Sequence, residues 1–386
     1  MLKLKKSNTL LFLLFFSLNF EVWDPLSTNG FFSISKLFGF LYLISIVPHI
    51  SYFLSVINNF RIYLRLLFIF FTYLTLISFF NINVYDYSFF DFSLFQNIIL
   101  FFLLSSHEKL KPGVLEKSFF GFYLGSICLA FCYYLNLGLS INSEGRISLF
   151  GDNENLVGFR MVISILFLIH FIIKNRLKYF YKILLILSFY PLLDLAINSG
   201  SRTAFLSLIL SIFLMFFLYK TKKSFIKILG FIFLVIIAFL GINIALNSEV
   251  LGERLARTSE ESDLSGRDEI WIQIIPQIKE NLIFGVGSTG YNEFSHVIFS
   301  RFISPHNVFI EILAISGLIG FVLFFYFIFL CFKKAYLFQQ KFNELIPFVY
   351  IVPMTAVLLS SQLFIFKLGW VILAYCASRS LYIYKK

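Results

Sequence analysis

Residues Ser304 to Gly320 read SPHNVFIEILAISGLIG, in which a His-Asn pair opens a long apolar run directly after the longest polar segment of the chain. The run is apolar on every side. That is the pattern of a membrane helix, which needs about 20 such residues, rather than of a half-buried helix on a soluble core. His306 and Asn307 therefore stand where a span meets water, with Pro305 before them and Glu311 a little more than one turn inside.

The surrounding chain follows the same rule. Of its 386 residues 59% are hydrophobic and 14% charged, with mean hydropathy +0.85. A soluble core cannot hide that much apolar surface, so the chain reads as an all-α, polytopic transmembrane helix bundle. The formal charge of +11 does not point to nucleic acid, because the basic residues fall in short clusters between apolar runs, where they set topology. Cys128, Cys132, Cys331 and Cys376 lie inside expected spans, in no metal-like spacing, and read as small apolar packers.

The opening MLKLKKSNTLLFLLFFSLNF has the proportions of a signal peptide but no small-residue cleavage site, and reads as a short first span. Further spans are expected near 35–57, 60–81, 92–107, 118–138, 155–173, 180–198, 202–220, 225–246, 307–331, 345–362 and 364–382, about 12 in all. Placing the N-terminus inside puts about 22 of the 32 basic residues, but only about 3 of the 21 acidic ones, on the inner face. Both termini are then cytoplasmic. The chain reads as one transmembrane domain over 1–386, with an external loop subdomain at 247–304 between the ninth and tenth spans. Within that loop SGRDEIWIQIIPQIKE reads as a capped amphipathic helix, with Ser265 as N-cap, Asp268 three residues on and Pro276 bending it. Its Trp271, Ile272, Ile274, Ile275 and Ile278 suit a membrane surface or the top of the bundle.

Several residues on the outer face carry possible chemistry. His306 either belongs to a polar helix start or acts as a general base, since an imidazole takes a proton near neutral pH. Asn307 either caps the helix or binds. Glu311 is costly at its depth unless it orients the imidazole or meets an Arg. Arg202, in NSGSRTAF, either anchors at the headgroups or, behind a small-residue turn at a helix N-terminus, receives a diphosphate. Arg267, in GRDEIW, is a solvated charge or a second phosphate contact. Arg146 and Arg160 are further substrate-binding candidates. Arg160 and Asp194 lie at comparable depth in two spans, where they either pair or line a wet cavity. Gly285-Val-Gly287-Ser-Thr-Gly290 spells the dinucleotide fingerprint, but no strand-helix-strand unit surrounds it. It reads instead as a tight turn that lets backbones approach. The absence of an Asp-x-Asp pair or a His cluster leaves metal-assisted transfer little support. The alternative of another class is a polysaccharide flippase or transporter, but a carrier of this span number usually has related halves, matched Gly or Pro breaks and only short external loops, whereas this chain has neither of the first two and one long late external loop.

The order His306-Asn307, nine residues, Gly317, two residues, Gly320 resembles the signature of the O-antigen ligase superfamily of bacterial envelopes. GRDEIW followed by NLIFGVGSTGYNEF resembles that family's loop, and NSGSRTAFLSL its Arg-containing helix start. The resemblance covers about Asn198 to Gly320. It implies a GT-C type membrane glycosyltransferase of the bacterial inner membrane, acting at the periplasmic face on glycans linked to undecaprenyl diphosphate, with neither nucleotide nor metal cofactor. Carried over, Arg202 and Arg267 would hold the diphosphate, His306 would deprotonate the acceptor hydroxyl, and Asn307 would position His306 or a sugar. The implied partners are the lipid-linked donor, membrane lipids, and an acceptor that is lipid A-core for a ligase or a second lipid-linked glycan for a polymerase. The complete His-Asn-Gly-Gly pattern leans toward the ligase.

Overall fold

A computed structural model of the protein describes residues 4–28, 32–175, 177–219, 243, 246–261, 266–362 and 364–383. Nearly all regular structure is helical. Among the described residues six helices are long and apolar enough to cross a membrane: Ile34–Ser55, Ile57–Phe80, Val114–Tyr134, Glu154–Lys174, Tyr179–Asn198 and Val308–Phe342. The chain is a helical membrane protein. Other expected spans coincide with shorter or more polar helices, including Lys5–Ser17, Phe92–Leu110, Arg202–Leu218, Ile346–Ser360 and Lys367–Ser378. The span expected at 225–246 falls almost wholly outside the described residues.

One element departs from the all-helical expectation. Leu139–Ile141 and Ile147–Leu149 pair antiparallel, closed by a turn in which Asn142 Oδ1 accepts from the amides of Glu144 and Arg146. Gly145 supplies the positive φ of 74° that such a turn requires. Three residues a side are too few for a sequence pattern to announce.

The chain divides into two compact units. The first comprises Met1–Phe53, Leu110–Glu261 and Gln339–Ala356; the second comprises Leu54–Lys109, Ser262–Phe338 and Val357–Lys386. The segment 247–304, expected to be external, is thereby shared, with the helix Glu249–Glu261 in the first unit and the helices Arg267–Glu280 and Gly287–Phe299 in the second.

Lipid tails are as apolar as Leu, so helices in a bilayer associate through close packing and polar contacts rather than through burial alone. The first unit follows that logic. Gly121 of Val114–Tyr134 lets the opening helix approach so closely that a Cβ there would stand 2.7 Å from the Phe12 carbonyl. Asn19 Nδ2 donates to the Phe122 carbonyl at 2.9 Å, and Ser126 Oγ donates to Asn19 Oδ1 at 2.7 Å. The helix Glu154–Lys174 begins with Asn153 capping the Asn155 amide at 2.9 Å. Its Arg160, 0% exposed, pairs with Asp152 and, at 3.3 Å, with Glu21.

In the second unit, buried aromatic rings bind the helices together. Phe101 meets Phe327 edge-on at 5.3 Å, Phe70 lies 5.0 Å from Phe324, and the fully buried Trp370 stacks on Phe327 at 6.2 Å. At one end of this unit Arg379 donates to Glu108 at 2.7 Å with both side chains buried, a pair tolerable there only because each charge meets the other.

Candidate active site

In the second unit the segment leading to the His-Asn pair is fastened at several points. Ser295 Oγ donates to the Arg301 carbonyl at 3.0 Å and accepts from the Ile303 amide at 2.7 Å. Tyr291 donates its hydroxyl to the Ile303 carbonyl at 2.8 Å, and burial holds that phenol above its ordinary pKa, as a donor. The indole Nε1 of Trp271 donates to the Pro305 carbonyl at 2.8 Å. The amphipathic helix Arg267–Glu280 is thus fastened to the residue preceding His306. Its expected cap differs, because the N-cap is Gly266 at φ 68° with no side-chain hydrogen bond, and Ser265 lies outside the described residues. Within this unit Ile274 faces inward at 0% exposure while Ile272 and Ile275 face out.

His306 itself has φ 49°. That left-handed conformation costs on the order of 1–3 kcal/mol in a residue with a Cβ and persists only where the surroundings impose it. Its imidazole has no hydrogen-bond partner among the described residues, and burial, followed by the nearby Arg267 charge, lowers its pKa below the usual value. The ring is therefore neutral at pH 7 and able to accept a proton. Asn307 is the N-cap of the following helix, its Oδ1 accepting from Phe309 N at 2.9 Å and Ile310 N at 3.3 Å. Its Nδ2 makes no hydrogen bond among the described residues. Glu311 pairs with no Arg among the described residues; it lies within electrostatic reach of Tyr291 and Asp91. Its place one turn into the helix, with its amide bonded to the Asn307 carbonyl, directs it to that side.

The glycines of the signature are backbone devices. At Gly317, with φ 57° and ψ −163°, the long helix breaks. The amides of Leu318 and Ile319 donate across the break to the carbonyls of Leu282 at 2.9 Å and Ile283 at 3.3 Å, and the Val286 amide donates to Ala314 at 3.2 Å. The Gly285 turn slots against this opening so tightly that a Cβ there would stand 2.5 Å from the amide nitrogens of Ser316 and Gly317. Gly287 meets Ser78 equally closely, with Ser78 Oγ accepting from Ser288 N at 2.8 Å. The spacing from His306 to Gly317 is the length of one short helical piece, locked at both ends.

In the first unit the turn Ser199-Gly200-Ser201 collects arginines. Arg146 Nε donates to the Ser199 carbonyl at 3.1 Å and Nη2 to Asn155 Oδ1 at 2.9 Å. Arg254 Nη1 donates to the Gly200 carbonyl at 2.5 Å, and Arg202 Nη1 to the Arg254 carbonyl at 3.1 Å. Gly200, at φ 64°, makes room, since a Cβ there would press on Arg146 and Val250. Arg202 opens its helix with Ser201 as N-cap, accepting from Ala204 N at 3.3 Å. Burial lowers the pKa of Arg146, opposed by Glu154 and Glu144 and reinforced by Arg202. Arg146 and Arg254 are 8% and 7% exposed and engage protein groups, whereas Arg202 is half-buried.

Two sequence expectations change here. Arg160 is held by Asp152 and Glu21 in place of Asp194, because Asp194 is taken by the Tyr134 hydroxyl at 2.9 Å and by Asn198 Nδ2 at 3.1 Å. Arg254 was not singled out. Its only sequence signal is an arginine on the amphipathic stretch GERLAR, which reads as a solvated helix face until the turn at Gly200 folds against it.

Residues 183–325, the stretch that holds Arg202, Arg254, Arg267, His306 and the Gly285 and Gly317 docking, match the family model described as O-Antigen ligase. Over this stretch the chain is similar to the O-antigen ligase family. An uncharacterized protein of Haemophilus influenzae is 29% identical over 181 residues, which is 41% of this chain and 44% of that protein. The chain thus spans less than half the length of this relative. Arg146 and Arg160 precede the segment that carries the O-antigen ligase match.

Proposed function

We propose that this protein transfers a glycan from undecaprenyl diphosphate to an acceptor hydroxyl at the periplasmic face of the inner membrane, as a ligase using lipid A-core as acceptor. The observation that carries the reading is the neutral, unpartnered imidazole of His306 beside Arg267, on a backbone held in an unfavourable conformation. His306 takes the proton of the acceptor hydroxyl as the oxygen attacks the anomeric carbon. The bond from that carbon to the diphosphate breaks on the opposite side, so the configuration inverts. Arg267 takes up charge growing on the leaving diphosphate, a role the resemblance implies for Arg202 as well. Diphosphate is already a good leaving group, so fixed positive charge and one base suffice, without a metal or nucleotide. Asn307, whose Nδ2 makes no hydrogen bond among the described residues, holds a sugar hydroxyl.

A repeat-unit polymerase would use the same base and leaving group with a lipid-linked glycan as acceptor. Gel analysis of envelope polysaccharide from a deletion strain, with the lipid-linked pool extracted alongside, separates the two. Long chains accumulating on undecaprenyl diphosphate are expected for the ligase. Single repeat units alone would make it a polymerase, and unchanged pools would remove both and restore the transporter reading. Complementation with His306→Ala should leave the deletion pattern in place, with transfer lowered about 10²- to 10⁴-fold while the protein accumulates normally.

A further inference from the structure

The second unit carries a cavity of about 370 Å³ that lies outside the family match and plays no part in the transfer. Asn59, Ile62, Lys109, Lys334, Ser380 and Leu381 line it, two ammonium groups and no carboxylate. It sits at the start of the helix Arg61–Phe80, whereas Ser78, near the other end of that helix, meets the Gly287 turn of the candidate active site. With about 1.5 Å of rise per residue, the cavity stands roughly 24 Å away along that helix, close to the thickness of a bilayer core. It therefore opens at the opposite membrane face within this unit, where LRLL, HEKLK and CFKK bring basic residues together.

The cavity is built rather than incidental. Lys109 follows Glu108 and Ser380 follows Arg379, so the buried Glu108–Arg379 contact at 2.7 Å clamps the two walls that carry them. Tyr382 donates to the same Glu108 oxygen at 2.5 Å, and Arg379 lies 4.5 Å from the Tyr375 ring centre and 4.9 Å from that of Tyr382. That clamp also occupies the carboxylate of Glu108, next to Lys109 in the chain. Lys109 makes no ion pair, and the Ser380 hydroxyl no hydrogen bond, among the described residues. Two cations, a hydroxyl and an amide facing one another beside apolar Ile62 and Leu381 match an anionic headgroup that stays joined to its hydrocarbon.

We propose that this cavity binds the phosphate headgroup of an anionic membrane lipid, Lys109 and Lys334 taking the phosphate and Ile62 and Leu381 flanking the chain. The test is native mass spectrometry of the full-length protein in detergent, titrated with phosphatidylglycerol and phosphatidylethanolamine. Preferential retention of phosphatidylglycerol is expected. Lys109→Gln should lower it about fivefold and Lys109→Gln with Lys334→Gln about thirtyfold. Lys333→Gln, at an exposed neighbour outside the cavity, should leave retention unchanged. Equal retention of the two lipids, or undiminished phosphatidylglycerol in the single Lys109→Gln variant, overturns the proposal. Displacement by millimolar inorganic phosphate also overturns it and assigns the cavity to a soluble anion.

Discussion

At the scale of the residue, His306 is governed by two neighbours with separable effects. Burial lowers its pKa most and Arg267 lowers it further. A general base works only while neutral, so activity should fall as pH drops through that lowered value. Arg267→Gln removes one of the two causes. The acid limb of the pH–rate profile should then move to higher pH while remaining below the position of an ordinary histidine, because burial persists. An acid limb that does not move would separate Arg267 from the imidazole. Arg202 makes a different point. Its Nη1 is engaged by the Arg254 carbonyl, and a lysine keeps the charge but loses the planar fork that can bond protein and phosphate together. Arg202→Lys should therefore lower transfer by at least about tenfold with protein levels unchanged, a loss of about 1.4 kcal/mol in transition-state stabilisation, read as polysaccharide formed per unit of protein.

At the scale of the element, the break at Gly317 decides how the site is presented. A continuous helix would have no free amides at Leu318 and Ile319 to donate to the carbonyls of Leu282 and Ile283. Gly317 stands near a backbone region that only glycine occupies readily, and a methyl group there would meet the Ile283 carbonyl. Gly317→Ala should cost on the order of 1–3 kcal/mol from the backbone alone, more once the contact is counted, and lower the unfolding temperature of the detergent-solubilised protein. Gly320→Ala should also destabilise, because its added methyl would collide with the Ser316 Cβ, which no rotation of that side chain moves. The His-Asn and Gly-Gly parts of the motif were both legible in the sequence, but their relation was not. Spacing names the residues, whereas only the docking of Gly285 explains why Gly317 follows at that distance.

At the scale of the whole molecule, the basic clusters predict both termini on the cytoplasmic side and His306 on the other. A C-terminal fluorescent fusion that matures only in the cytoplasm should be bright, and a single cysteine placed at exposed Phe302 should react with a membrane-impermeant thiol reagent in intact spheroplasts. A dark fusion or an unreactive cysteine reverses the hand.

Helical class, the six helices long enough to span, and Arg202, Arg267 and His306 as candidates were legible in the sequence alone. Apolar length, basic clusters and helix-start residues are local signals, set by the cost of leaving a backbone or a charge unsatisfied in lipid. The partners of Arg160 and the recruitment of Arg254 to the Ser199-Gly200-Ser201 turn were decided only by tertiary structure. So were the fastening of Trp271 to Pro305 and the sharing of 247–304 between two units. Each depends on which of several equally plausible polar groups comes within hydrogen-bond distance, and chain spacing does not determine that distance once segments far apart in sequence pack together.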